Sequence, residues 1–142
     1  MSLLVPSYLA QESGTCCFVY AVANCLIHNG LPVPDLEKAF DIACCRRGGT
    51  IYHQAVVDYM QAPLRPVDDH KLVLVDGGIL HILHPIWNGH SLFCFTSKKT
   101  YVTIVNSWLG PNVVEVGMEE IERFVPKNHN IGKYWVQSGS QS

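Results

Sequence analysis

Along the first half of the chain the apolar residues recur at helical spacing, and along the second half they gather into short runs separated by turn residues. Phe18, Ala21, Val22, Cys25 and Leu26 fall at i, i+3, i+4, i+7 and i+8, one stripe of a helix over 16–29. Thr15 stands where a cap would be and Gly30 where the helix should stop. A second helix is expected from Pro34, with Asp35 and Glu37 near its positive end and Arg46-Arg47-Gly48-Gly49 closing it. A third spans about 51–60 behind Thr50 as a cap.

Beyond Pro63 the pattern changes. Runs at 71–75 and 79–86 read as strands, and Asn88-Gly89 before the next apolar run is a hairpin signal. Strands at 91–96 and 100–106 follow, joined by a polar turn at Ser97-Lys98-Lys99. A short helix at 118–124 and a last strand at 133–137 complete the reading. Helices grouped before an antiparallel sheet indicate an α+β fold.

Composition narrows the class. With 142 residues, 48% hydrophobic and 15% charged, the chain can bury one core and is expected to be a single domain, 1–142. A net charge of -2 with only isolated basic pairs, Arg46-Arg47 and Lys98-Lys99, gives no footprint for nucleic acid. The first ten residues lack a basic n-region and Pro6 interrupts their apolar run, so no secretion signal is expected. Asp76, His81 and His84 break up the most hydrophobic stretch, which excludes a bilayer span of about 20 residues. The expectation is a cytoplasmic protein; its oligomeric state is open.

Six cysteines raise the question of a disulfide framework, but four of them form the adjacent pairs Cys16-Cys17 and Cys44-Cys45. Adjacent residues bridge each other only with strain, and no Cys-x2-4-Cys pair with matching ligands suggests zinc. Free thiols are therefore expected, with no metal and no cofactor.

The chemistry concentrates at four positions. Cys17 falls in the first turn of the first helix, where unpaired N–H groups and the macrodipole favour the reactive thiolate. His90 follows Asn88-Gly89 and begins a strand, from whose end it can face a helix start. Asn106 ends the strand that pairs with it, and its amide oxygen can accept the imidazole N–H and fix the tautomer. Gln11, six residues before Cys17, can aim its NH2 at the same point as the Cys17 N–H and so form an oxyanion hole. Trp108 would cover the His90–Asn106 pair. Of the other histidines, His28, His53, His70 and His129 read as ordinary imidazoles, and His81 and His84 as minor alternatives to His90.

Gln11, then Cys17-Phe18 with Ala21, then Gly89-His90, then Val105-Asn106-Ser107-Trp108 resembles the papain-like cysteine peptidases, whose Gln, Cys-Trp, His and Asn-Ser-Trp motifs occur in that order. The stretch 31–83 is matched only by position. The compact length is similar to that of bacterial or viral-type members such as the domains that trim double-glycine leader peptides. Those place Asp before the nucleophile, Gly after it and Asp-Pro where this chain has Asn106-Ser107, so the resemblance is to the superfamily. It implies a sheet packed on helices that carry the nucleophile, with Gln11 as oxyanion donor, Cys17 as nucleophile, His90 as general base and acid, and Asn106 as orienter. It implies a protein or peptide substrate. A glutamine deamidase or transamidase would use the same groups, and a catalytically silent binding module would keep the scaffold without them.

Overall fold

The computed structural model describes residues 8–9, 16–44, 51–84, 88–107, 112–126 and 134–138. Helix α1 (Cys17–His28) is buried along every residue from Phe18 to Leu26, well beyond the expected stripe. A helix so apolar on all sides belongs inside the molecule. It closes as the sequence suggests: Gly30, at φ 69°, donates to the Ile27 carbonyl, and Leu31 N donates to the Leu26 carbonyl at 2.9 Å. That reverse-turn pair satisfies the last carbonyls and needs a left-handed residue, which glycine supplies without strain.

Helix α2 (Leu36–Ala43) starts two residues later than expected, with Asp35 accepting from Glu37 N as its cap, and stops before the expected 46–49 at Cys44 in the left-handed region. Helix α3 (His53–Met60) follows Tyr52 and ends at Gln61 in the left-handed region. The proposed caps Thr15 and Thr50 lie outside the described residues.

Six strands form one antiparallel sheet in the order β1-β6-β2-β3-β4-β5. They are β1 (Leu64–Val67), β2 (Gly78–His84), β3 (Asn88–Lys98), β4 (Tyr101–Asn106), β5 (Asn112–Gly117) and β6 (Tyr134–Gln137). Two further helices, α4 (His70–Asp76) and α5 (Met118–Glu122), complete the described elements.

Two expectations fail here. The run 71–75 is helix α4: Asp69 accepts from Lys71 N as its cap, and Val73 and Leu74 are buried side by side while Leu72 and Val75 are exposed. Exposed Leu72 and Val75, three residues apart, share one face of a helix, whereas in a strand they would point to opposite faces. Asn88 and Gly89 are not a turn; they pair with His84 and Leu83 as the first residues of β3. His90 is consequently the third residue of that strand, paired with Ile82.

The sheet is covered on both faces because alternate residues of its central strands enter different cores. Ile79, Phe93, Val105 and Trp135 pack with α1, α2 and α3. Leu80, Leu92, Cys94 and Ile104 pack with Val73 and Leu74 of α4 and Ile121 of α5. The expectation of free thiols holds for Cys17, Cys25, Cys44 and Cys94 and fails at Cys16, which is disulfide-bonded. Among the described residues no helix is long and apolar enough to cross a membrane.

Candidate active site

Cys17 opens α1, behind Cys16 at the cap position, which makes no side-chain capping bond. The helix is held against β3, β2 and β4 by the apolar side chains that follow Cys17, so its first residue is delivered to the sheet. There the backbone N–H of Ser91 points at the Cys17 sulfur, at 3.5 Å. Ser91 directly follows His90 on β3, so the Cys17 sulfur lies against the strand that carries His90.

His90 and Asn106 meet across the β3–β4 pair. The register Phe93↔Val105 offsets them by two residues along the strands, a diagonal relation that side chains of their length span. His90 Nε2 lies 2.8 Å from Asn106 Oδ1, with His90 2% and Asn106 3% exposed. An amide oxygen only accepts, so Nε2 carries the proton and the lone pair of the neutral ring sits on Nδ1. Burial lowers the His90 pKa from its ordinary 6.5, and the bond to Asn106 opposes this by favouring the charged ring. The result is a ring kept neutral, with its tautomer and its plane set by Asn106.

The remaining histidines occupy other settings. His28 stacks on Phe95 at 4.2 Å, His53 meets Phe18 edge-on at 4.3 Å, and His70 lies 3.5 Å from Glu122. His81 lies opposite Ser91 in the β2–β3 ladder. The structure thus brings Cys17, His90 and Asn106 to one end of the sheet. Gln11, Trp108 and His129 lie outside the described residues.

Two contributors escape a reading of side-chain motifs. The Ser91 N–H is a backbone donor, which no residue type announces. Asn24 is wholly buried in α1, and its Oδ1 accepts from Leu9 N at 2.7 Å while its Nδ2 donates to the Leu9 carbonyl at 3.4 Å. A polar residue among the apolar positions of the first helix was the available signal.

Tyr52 and Tyr59, in the stretch 31–83 that the resemblance matches only by position, line two different cavities. Tyr52, with Ile51, His53, Ala55, Pro66 and Trp135, borders one of about 540 Å³. It adjoins the start of α1 through Phe18, which touches both His53 and Trp135. The Tyr59 cavity, of about 280 Å³, lies beside Leu26 near the opposite end of the helix.

Among solved structures the chain is similar to the peptidase domain of Streptococcus ComA, a bifunctional ABC transporter involved in a quorum sensing pathway. The TM-score is 0.67 at 12% identity, over 84% of this chain and 92% of that one. It is also similar to a double-glycine motif protease from an AMS/PCAT transporter, solved in complex with the leader peptide. There the TM-score is 0.57 at 21% identity, over 85% of this chain and 86% of that one. No family model and no curated protein matches. The chain therefore has the fold of the double-glycine peptidase domains, the α+β arrangement of the papain-like cysteine peptidases that its motifs resemble.

Proposed function

We propose that the chain is a cysteine peptidase that cleaves a peptide or isopeptide bond with Cys17 as nucleophile, His90 as base and acid, Asn106 as orienter and Gln11 as oxyanion donor. What supports this is the Cys17 sulfur lying against the N–H of Ser91, the residue that follows His90, whose buried imidazole is fixed through Nε2 by Asn106. A nucleophile, a base within its reach and a group that orients the base are the minimum constellation for acyl transfer. The likeness to a protease bound to a leader peptide favours an extended peptide as substrate.

In this reading His90 Nδ1 takes the thiol proton as the sulfur attacks the scissile carbonyl carbon. The carbonyl oxygen becomes an oxyanion, held by the Gln11 amide and the Cys17 N–H. His90 returns the proton to the departing amine, the C–N bond breaks and a thioester remains. Water then attacks the thioester while His90 takes its proton, and release of the carboxylate restores the thiol. Asn106 keeps the ring aligned through both transfers.

The test combines an electrophilic probe with a search for cleaved peptides by mass spectrometry. The probe should label wild type and Cys16→Ala but not Cys17→Ala, and His90→Ala should abolish turnover. Labelling that survives Cys17→Ala, or wild-type turnover in His90→Ala, removes the reading. Ammonia release without chain cleavage would move it to a deamidase on the same groups.

A further inference from the structure

We propose that the main-chain N–H of Ser91 is a working part of the site: it holds the Cys17 sulfur in register with His90 and takes up the negative charge left on the sulfur when its proton moves to the imidazole. The proposal rests on the reading of Cys17 as nucleophile and His90 as base, and adds the group that receives the charge between them.

A strand N–H lies in the plane of its sheet and ordinarily ends on a carbonyl of the neighbouring strand. The pairing of β3 with β4 begins at Phe93↔Val105. Two residues before that, the Ser91 N–H ends on the Cys17 sulfur at 3.5 Å, so the sulfur stands where a strand carbonyl would. It arrives on a rigid mount, because Cys17 opens a helix whose residues from Phe18 to Leu26 are all buried. The donor is rigid as well. Its N–H belongs to the planar peptide unit that joins Ser91 to His90, two residues that are 6% and 2% exposed. One flat group therefore sets both where the sulfur rests and where the base leaves the main chain.

Proton transfer from the sulfur to His90 Nδ1 leaves a negative charge on sulfur and a positive charge on the ring. Burial disfavours the ring's charge, and Asn106 offers it an amide oxygen, not a carboxylate. The ion pair therefore depends on support from the sulfur side. A hydrogen bond from an N–H to a thiolate is charge-assisted and stronger than the same bond to a thiol. A peptide dipole fixed in a sheet also needs no reorganisation when the charge arrives. Cys17 is only half-buried, so the sulfur held in this way stays open to a substrate or an electrophile.

Replacing the Ser91 N–H by an oxygen, which turns the His90–Ser91 linkage into an ester and leaves every side chain in place, tests this. The full chain with that one change can be assembled from three peptides joined at Cys44 and Cys94, beside an all-amide chain made in the same way. Alkylation by iodoacetamide at neutral pH, read at Cys17 by peptide mass, should be about 10–100-fold slower in the ester chain, the range for a hydrogen bond to a charged group. The kcat/KM on a cleaved peptide should fall with it. In alkaline buffer, where both sulfurs are ionised, the alkylation rates should converge, whereas a sulfur displaced or covered by misfolding would stay slow. The thermal midpoint records any stability lost to the ester itself. Equal alkylation rates at neutral pH, a deficit that persists in alkali, or unchanged kcat/KM would each overturn the proposal. If the ester chain does not fold, the Ser91 amide proton of the all-amide protein decides. Its NMR resonance should lie downfield in wild type and move upfield in Cys17→Ala; the same position in both overturns the proposal. Turnover that survives Cys17→Ala would instead bring down the peptidase reading itself, and is seen without the ester chain.

Discussion

His90 donates to an amide, and that partner sets how readily the ring accepts a second proton. Burial already holds its pKa below 6.5, and the neutral Asn106 oxygen offsets this only in part. The base therefore stays deprotonated, and the acid limb of kcat/KM for wild type should fall below pH 6.5. Asn106→Asp would place a negative charge where the amide oxygen now sits. An adjacent carboxylate favours imidazolium, so the acid limb should move upward by about 1–3 pH units. A pH–rate profile of the two proteins checks both the sign and the size; a limb that does not move would separate His90 from the rate. At this scale the sequence was legible where two side chains meet, as for the pairing of His90 with Asn106 across β3 and β4. It was silent on the Ser91 N–H because the donor is backbone, and on the bonds of Asn24 because their partner is the Leu9 main chain.

Elements were legible in proportion to their length and to the clarity of their period. Helix α1 was plain, since twelve residues carry both a stripe and a glycine stop. The run 71–75 misled because five apolar-rich residues fit strand and helix equally; the Asp69 cap and the shared exposure of Leu72 and Val75, three residues apart, decide for α4. Strand β1 contains Pro66, which argues against a strand unless it lies at a sheet edge, and the edge is where β1 lies. Asn88-Gly89 suggested a turn from its residue types, yet both residues extend β3. Strand β5 went unread because Val113, Val114 and Glu115 are all exposed on the other edge, with no buried face to impose alternation. Gly78 shows why one small residue matters at the β2–β6 crossing. Its φ is 149°, and a Cβ there would overlap the Trp135 carbonyl. Gly78→Ala should cost about 3 kcal/mol or more, the range of severe single substitutions. Thermal or denaturant unfolding measures it, and a loss under 1 kcal/mol would mean that β6 shifts freely.

Over the whole molecule, the sheet is a partition between two cores, and the proposed triad stands at one end of it. Strand β3 belongs to both sides, with Phe93 facing α1 and Leu92 and Cys94 facing the opposite core. The helix-before-sheet order, readable from the periodicity change near Pro63, is what delivers the start of α1 to β3 and β4. Pairing order was not readable, since β6 enters between β1 and β2 from the far end of the chain. The disulfide at Cys16 has one more consequence. Two neighbouring sulfurs are held in opposite oxidation states, the first as a cross-link and the second as the free thiol of Cys17. No single extreme of redox poise suits both. An excess of dithiol protects the nucleophile and severs the cross-link beneath it; an excess of oxidant does the reverse. Turnover measured across a glutathione series should accordingly peak at an intermediate ratio, with Cys16 alkylation rising on the reducing flank and Cys17 alkylation falling on the oxidising one. In Cys16→Ser the reducing flank should flatten while the oxidising flank remains.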